Sequence, residues 1–259
     1  MKVMALGATH PDEKEAATVV ESLIQKPIKN VVGLLVNLQG IQENKRFIDV
    51  NMAYAYPGDL ASKNYEERRA VEVLGEIAAY APDILVDLHN PGESEERFAT
   101  VSPTRGISPT HLGMLGEFGI KNILLDDSGV IVHVPNGVAI EIPKEEIRTN
   151  GVEFVRQFIS DLANRSALPV ADVTDFNWFA YPKTLSCGLH QADIHPNELS
   201  PADWDNFRQF QLVPKIIQDK LGHVESLYLG CGMKTPNQEG YWGELLVKID
   251  APNDSRWPK

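Results

Sequence analysis

The sequence predicts an α/β fold with three layers, α/β/α, around a mixed, mostly parallel central sheet, plus a smaller β-containing C-terminal region. Short apolar runs that suit buried strands alternate with amphipathic stretches of helical period. This alternation favours a parallel sheet covered by helices on both faces. After residue 167 the chain becomes richer in aromatic residues and turns. We therefore predict an α/β domain over residues 1–167 and a β-containing region packed on it over residues 168–259.

The first third of the chain predicts three buried strands and two helices. The strands are the apolar runs Val3–Leu6, Val31–Asn37 and Ile84–Leu88. The helices are Glu13–Gln25 and Tyr65–Ala81, and a proline follows each within two residues. Leu38–Tyr65 lacks periodicity and is predicted to be a long loop. Loops of this length inside a compact domain usually have a function.

The remaining elements follow the same pattern with weaker signals. Predicted strands are Ala99–Ser102, Asn122–Leu125, Val130–Val134 and Val138–Ile142, and predicted helices are Thr110–Phe118 and Glu145–Leu162. In the C-terminal region we predict a helix around Trp204 to Leu221 and strands at Val224–Leu229 and Leu245–Ile249.

Composition narrows the classes of partner and the location. The formal net charge of −12 argues against a nucleic-acid-binding protein, because a phosphate backbone attracts a basic surface. No apolar run approaches the length of about 20 residues that a membrane helix needs. A strand-like segment begins at Val3, which leaves no room for a secretory signal. We expect a cytoplasmic protein in which Cys187 and Cys231 stay reduced, although they would allow one disulfide.

Three residues predict a metal site. His10 and Glu13 follow the first strand, and His89 ends another apolar run. A lone His-x-x-Glu usually marks a surface helix, but this pair lies between a strand and a helix. Because ligands of such sheets sit beyond the carboxyl ends of the strands, we expect the three side chains to meet. Two histidines and one carboxylate are a ligand set of catalytic zinc, which keeps one position open for water.

A hydrolytic zinc site also needs an acid–base group that is not a ligand. Glu141 lies at the end of the apolar strand Val138–Ile142, where an ionised carboxylate needs a cation nearby. The alternative is a carboxylate that faces solvent at the strand end. Asp87 lies on the same strand face as His89 and is a candidate to orient its imidazole, or else an ordinary buried hydrogen-bonding aspartate.

Other polar residues are candidates for substrate contacts. Arg46 is a candidate to polarise a carbonyl and hold an oxyanion, and Asn51 to donate hydrogen bonds to a substrate carboxylate. Both would alternatively be solvated loop residues. Tyr241 is a candidate to reach the substrate from the C-terminal region, with aromatic packing as the alternative.

A rival metal cluster is formed by Cys187, His190 and His195. Their spacing matches no compact structural zinc site with a fourth ligand, so we favour a loop with one buried thiol.

Four motifs resemble, in order and spacing, the aspartoacylase/succinylglutamate desuccinylase family of the zinc carboxypeptidase superfamily. They are Gly7–Glu13, Arg46–Asn51, Asp87–Asn90 and Gly137–Glu141, and the resemblance covers about the first 165 residues. It implies an α/β/α fold with one zinc ion per subunit, held by His10, Glu13 and His89. It also implies Glu141 as general base, Arg46 as carbonyl polariser and a C-terminal β-rich region that narrows the mouth of the active site.

The chain departs from the family pattern around the substrate. The family's Asp-Leu-Asn-Arg motif corresponds to Asp49-Val50-Asn51-Met52, so Met52 replaces the arginine that binds the substrate carboxylate. The Gly-Asn between the first two ligands is Pro11-Asp12 here. A second basic residue before the catalytic strand has no clear match, and Arg105 or His133 are candidates to replace it.

The sequence therefore predicts a zinc-dependent amidohydrolase that removes the acyl group from an N-acyl amino acid or a similar small amide. The first alternative is a carboxypeptidase-like amidase with another substrate. The second is a non-catalytic small-molecule-binding protein on the same fold. We expect a small-molecule ligand and no nucleic-acid or membrane partner. The oligomeric state stays open, and a homo-oligomer is compatible with the sequence.

Overall fold

A mixed sheet of ten strands forms the centre of the computed structural model, which describes residues 1–90, 96–135, 137–181, 188–190, 210, 212–213, 215–221, 226–229 and 241–252. The strands are β1 Val3–Gly7, β2 Val31–Leu35, β3 Ile84–His89, β4 Phe98–Val101, β5 Asn122–Leu125, β6 Gly137–Glu141, β7 Asn177–Ala180, β8 Gly188–His190, β9 Leu227–Leu229 and β10 Tyr241–Ile249. Their order across the sheet is β2-β1-β3-β6-β4-β5-β7-β10-β8, and β9 also pairs with β10.

The described helices are α1 Lys14–Gln25, α2 Leu38–Glu43, α3 Met52–Ala55, α4 Tyr65–Tyr80, α5 Pro109–Glu117, α6 Lys144–Asn150, α7 Glu153–Asn164 and α8 Lys215–Leu221. Two 3₁₀ helices span Val130–Val132 and Val173–Asp175. No helix among the described residues is both long enough and apolar enough to cross a membrane. The cytoplasmic location stays a prediction.

Strand direction divides the sheet into two parts. Strands β2, β1, β3 and β6 run parallel to one another, and β4, β5 and β7 form a second parallel group. The groups meet where β6 and β4 pair antiparallel. The carboxyl ends of β1, β3 and β6 therefore share one edge of the sheet, and His89 on β3 lies in register with Glu141 on β6.

Two apolar clusters cover the two faces of the sheet, which confirms the predicted three-layer α/β/α class. On one face, helices α1, α5, α6 and α7 pack against Val3, Ala5, Val86 and Leu88. On the other face, α3, α4 and the first 3₁₀ helix pack against Met4, Leu6, Leu85 and Ala139. Because strand side chains alternate between faces, Asp87, His89 and Glu141 point to the same side as α3 and α4.

The predicted loop Leu38–Tyr65 is wrong in part, because it contains helices α2 and α3. The Asn37 side chain accepts a hydrogen bond from the Gly40 amide at the start of α2. The Asn51 side chain accepts one from the Ala53 amide at the start of α3. These helices have 6 and 4 residues, too short to show a hydrophobic period.

Two other predicted elements differ from the structure. The expected strand Val130–Val134 is a 3₁₀ helix, because β5 and β6 already have strand partners on both sides and Val130 and Ile131 are buried against the α4 face instead. The expected helix Glu145–Leu162 is two helices, α6 and α7, separated at Gly151, whose φ of 73° is incompatible with a continuing helix.

Strand β2 is only partly buried, although Val31–Asn37 was predicted as a buried strand, because it lies at the edge of the sheet. At the other side, the C-terminal region extends the same sheet. Strand β7 pairs with β5 in parallel, and β10 pairs antiparallel with β7. The division of the chain at residue 167 stays a prediction.

Candidate metal centre

The structure brings His10, Glu13 and His89 together. Nδ1 of His10 lies 3.0 Å from Oε1 of Glu13, and Nδ1 of His89 lies 3.0 Å from Oε2 of the same carboxylate. One ligand atom from each residue lies within 4.8 Å of the others. Ligands of a shared zinc ion, each at about 2.1 Å from it, stand roughly 3 to 3.5 Å apart. The donor set therefore fits a divalent transition metal.

The turn after β1 gives the first two ligands their positions. Ala8 is buried and has a φ of 60°, a conformation that is uncommon outside glycine and occurs at functional sites. Glu13 immediately precedes α1, but its side chain does not cap the helix. Instead, the amide oxygen of Asn90 accepts a hydrogen bond from the backbone N–H of Ala16 in the first turn. The Glu13 carboxylate is therefore available to the two imidazoles.

Each imidazole has a second oxygen partner on its far side. Nε2 of His89 lies 3.0 Å from Oδ2 of Asp87, and the Thr9 hydroxyl donates to the same carboxylate. The orienting contact expected of Asp87 is therefore present. Nε2 of His10 lies 3.1 Å from Oδ1 of Asn51. This arrangement leaves both Nδ1 atoms facing Glu13, and outer partners of this kind fix the orientation of histidine ligands.

The centre is buried and negatively charged. Burial raises the pKa of Glu13, but the neighbouring imidazoles of His89 and His10 outweigh it and bring the pKa below its ordinary range. Burial lowers the pKa of His89, yet the charges of Asp87, Glu13 and Glu141 bring it well above its ordinary value. In the metal-free chain the carboxylates therefore favour the protonated form of His89, and a divalent cation would take over its compensating charge.

Glu141 lies on β6 in register with His89 and is not one of the three clustered ligand residues. Burial raises the pKa of its carboxyl to about 8, His89 acts in the opposite direction, and the charges of Glu13, Asp87 and Glu244 raise it further. A carboxyl with such a pKa can hold a proton near neutral pH. Glu141 therefore has the environment of an acid–base group.

Arg46 forms an ion pair with Asp12, a residue of the ligand loop. Its Nη1 atom lies 2.9 and 2.8 Å from the two carboxylate oxygens of Asp12, which is between His10 and Glu13 in sequence. Both side chains are about half exposed, 44% for Arg46 and 51% for Asp12. The guanidinium is therefore at the solvent side of the ligand loop, and an aspartate balances its charge.

Arg105 has a partner outside the ligand set. Its Nε atom donates to the Val132 carbonyl oxygen at 2.6 Å. Burial lowers the pKa of nearby His133, and the charge of Arg105 lowers it further. The His133 ring in turn lies 6.1 Å from the ring of Tyr56. The two candidates for the missing basic residue thus lie close together, next to the first 3₁₀ helix, and their role at the substrate stays a prediction.

Several C-terminal candidates lie where the structure describes no side chains. Tyr241 begins strand β10 opposite His190 of β8, but only the backbone is described there. Cys187, Cys231 and His195 lie outside the described residues. The rival cluster and the substrate contact of Tyr241 therefore stay predictions.

Two residues that shape the centre were not assigned a role from the sequence. Asn90, 2% exposed, donates from its backbone N–H to Glu13 and from its side chain to the Ile142 carbonyl, besides accepting from α1. Glu66 is fully buried and accepts hydrogen bonds from the amides of Ile48, Asp49 and Val50, which fixes the segment between Arg46 and Asn51. The position of Asn90 at the end of an apolar run was a sequence signal, whereas Glu66 resembles the other charged residues of its amphipathic helix.

Residues 1–129 match the sequence model of the succinylglutamate desuccinylase/aspartoacylase catalytic domain family. The match includes His10, Glu13, Arg46 and His89, while Glu141 lies beyond its end. A search of curated proteins finds no significant match.

Solved structures of low sequence identity share the fold. Succinylglutamate desuccinylase from Chromobacterium violaceum has a TM-score of 0.66 at 19% identity, over 97% of this chain and 85% of that one. The Vibrio cholerae succinylglutamate desuccinylase has a TM-score of 0.64 at 13% identity, over 99% and 84%. Murine aminoacylase 3 has a TM-score of 0.60 at 14% identity, over 97% of both chains.

The fold and the site together describe an α/β protein with a candidate metal centre at the edge of its mixed sheet. The match of residues 1–129 to the catalytic-domain model of the succinylglutamate desuccinylase/aspartoacylase family confirms the resemblance seen in the motifs.

Proposed function

We propose that the protein is a zinc-dependent deacylase that hydrolyses the amide bond of an N-acyl amino acid or a similar small amide. The observation that carries the proposal is the convergence of His10, Glu13 and His89, with Glu141 beside them on the neighbouring strand. The match of residues 1–129 to a deacylase catalytic domain supports the same reaction class.

His10, Glu13 and His89 would hold the zinc ion. When bound, such an ion lowers the pKa of a water molecule and polarises a carbonyl group. Nitrogen and carboxylate ligands also suit Fe, Co or Mn, so metal content should be measured as well as zinc dependence. The protein's own contribution is to keep both imidazoles oriented and to bury the ligand carboxylate.

Glu141 moves the proton in this mechanism. As general base it takes a proton from the attacking water, whose oxygen forms a bond to the carbonyl carbon. As general acid it then delivers that proton to the amide nitrogen as the C–N bond breaks, which releases a carboxylic acid and an amine. The raised pKa of Glu141 suits both directions of transfer near neutral pH.

Arg46 is proposed to stabilise the negative charge that develops on the carbonyl oxygen. Its partial exposure and its contact with Asp12 in the ligand loop support this role. To do this the guanidinium has to share its donors between the substrate and Asp12.

Replacing the proposed base tests the mechanism. Glu141→Gln keeps the side-chain volume and removes the proton acceptor, so we expect zinc binding to remain and amide hydrolysis to fall by about 10²- to 10⁴-fold. The measurement is steady-state hydrolysis of N-acyl amino acids together with metal content by mass spectrometry.

Glu244→Gln is a matched control, because Glu244 is a partly buried carboxyl with a raised pKa that accepts a hydrogen bond from Tyr181 and affects Glu141 through its charge alone. It should lose less than about tenfold in rate. Full activity of Glu141→Gln would remove Glu141 from the mechanism.

A second candidate function, an amidase with another class of substrate, is favoured by the charges around the centre. Met52, which stands where the family pattern has its carboxylate-binding arginine, is fully buried in the apolar cluster of α3 and α4. Arg46 is already paired with Asp12. A substrate carboxylate would therefore meet fewer available cations than the family pattern provides.

A substrate panel separates the two candidates. N-acetylaspartate and N-succinylglutamate should be compared with N-acyl compounds whose amine half is uncharged or cationic, and with short peptides. Preference for the dicarboxylates supports the first candidate, and preference for the others supports the second. Tight zinc binding without turnover of any amide would indicate a non-catalytic binding protein.

A further inference from the structure

The side-chain oxygen of Asn51 lies between two hydrogen-bond donors. It is 3.0 Å from the backbone nitrogen of Ala53, where it caps α3, and 3.1 Å from Nε2 of His10. A backbone N–H can only donate, so the atom that faces Ala53 must be the amide oxygen and not the amide nitrogen. The cap therefore fixes the orientation of the Asn51 amide.

This orientation determines the tautomer of His10. An amide oxygen accepts hydrogen bonds but cannot donate them, so Nε2 must carry the hydrogen in this contact. In the neutral imidazole that a metal ion needs, the lone pair is then on Nδ1, the atom that lies 3.0 Å from Glu13, the neighbouring member of the ligand set. His10 is thus prepared to bind a cation through Nδ1.

Helix α3 holds Asn51 firmly in this position. Met52 is fully buried in the apolar cluster that also contains Ala55, and the Gly129 amide donates to the Ala53 carbonyl oxygen. On the other imidazole, Asp87 makes the corresponding contact with Nε2 of His89. The two histidines thus have equivalent arrangements, with a neutral acceptor on one and a carboxylate on the other.

We propose that Asn51 is a positioning residue whose amide oxygen sets the tautomer and ring orientation of His10 for metal binding. The inference rests on the metal centre of the proposed function. It separates from that function in experiment, because metal affinity can be measured without any substrate.

Three variants distinguish the contacts of Asn51. Asn51→Ser keeps an oxygen that can cap α3, but this oxygen is too close to the backbone to reach His10. Asn51→Asp keeps an oxygen for both donors, and Asn51→Ala removes both contacts. Denaturant midpoints of the metal-free proteins report whether α3 is still capped, and Asn51→Ser should stay close to the parent.

Zinc affinity is the main measurement, by competition with a chromophoric chelator. Loss of an outer partner of a ligand typically weakens metal binding by about 10- to 100-fold, which we expect for Asn51→Ser and Asn51→Ala, while Asn51→Asp stays within about threefold of the parent. In the zinc-saturated proteins, an Nε2–H resonance of His10 should be protected in the parent and in Asn51→Asp. It should exchange with solvent in Asn51→Ser.

Other outcomes overturn the inference. If Asn51→Ser binds zinc as tightly as the parent and only its KM rises, Asn51 is a substrate contact. If the parent binds no zinc, this inference and the proposed function both fail. If the parent binds zinc and Asn51→Ser binds it weakly, but no amide is hydrolysed, the positioning role stands and the deacylase activity fails.

Discussion

In the candidate centre, the carboxylates and the imidazoles balance each other's charge. The Glu13 carboxylate contacts two imidazoles, while Asp87 and Asn51 contact their far sides. Burial weakens the competition of water for these groups, so each contact is electrostatically stronger than on the surface. The same burial raises the pKa of the neighbouring Glu141 and makes the stability of the metal-free chain depend on pH.

We expect the free energy of unfolding of the metal-free chain to fall as the pH rises from about 6 to about 9. The pKa of His89 is above its ordinary value of 6.5, so its stabilising charge is present below that pH and is lost as the pH passes the folded value. The pKa of the Glu141 carboxyl is about 8 in the folded chain, against an ordinary value of 4.5. Between these two values the carboxyl ionises in the unfolded chain but keeps its proton in the folded chain, so a rise in pH favours unfolding. The lowered pKa of Glu13 acts only in acid, where its contribution would be lost.

Urea unfolding of the metal-free protein at a series of pH values measures this effect. The Glu141→Gln variant should show a shallower decline, because its side chain no longer titrates. Identical slopes for parent and variant would show that the Glu141 carboxyl is not neutral in the folded state.

At the scale of elements, the segment between β2 and α4 supports the ligand loop. Helices α2 and α3 lie in this segment, and the buried carboxylate of Glu66 holds the backbone between them through the amides of residues 48–50. The end of the segment places Asn51 against His10, and its beginning packs on the loop between His10 and Glu13 at Pro11. The segment is therefore part of the metal centre and not a surface connection.

Gly40 in α2 is the place where this packing is closest. A Cβ atom there would lie 2.4 Å from Cγ of Pro11 and 2.8 Å from Oδ1 of Asn37. Gly40→Ala must displace the ligand loop, so we expect a loss of about 1–3 kcal/mol of stability and weaker zinc binding. Chemical denaturation and chelator competition measure the two effects.

Gly75 in α4 provides the control, because a Cβ atom there would meet no other atom within 4 Å. Gly75→Ala should stabilise the protein by about 0.5–1 kcal/mol, since alanine favours a helix interior, and leave zinc affinity unchanged. If Gly40→Ala behaves like Gly75→Ala, the ligand loop does not depend on α2.

For the whole molecule, the direction of the strands decides where the centre forms. The carboxyl ends of β1 and β3 bring His10 and His89 together, and β6, the strand at which the sheet changes direction, adds Glu141. The ligands come from two strands that are distant in sequence, so binding of one ion requires the folded sheet.

Zinc should therefore stabilise the entire fold. At a free zinc concentration 100 times the dissociation constant, the gain is about 2.7 kcal/mol, which is lost on removal of the metal. Thermal unfolding with zinc, with a chelator and with zinc restored measures it, and His89→Ala should lose most of the response. A melting temperature that is the same with and without chelator would contradict a metal centre built from both strands.

The sequence by itself determined the α/β class, most of the strands and the identity of the central residues. Periodicity and strand-end position indicated His10, Glu13, His89 and Glu141, because buried apolar strands make a polar residue at their end conspicuous. The family motifs pointed to the same residues, and the match of residues 1–129 confirmed the resemblance.

Only the tertiary structure decided what surrounds those residues. Helices α2 and α3 depend on side-chain caps and on the distant Glu66, which leave no periodic signal. The segment at Val130 has the composition of a strand but becomes a 3₁₀ helix because no strand edge is free for it. The contact between Asn51 and His10, and the pairing of Arg46 with Asp12, arise from chain directions that long-range packing sets and local sequence does not encode.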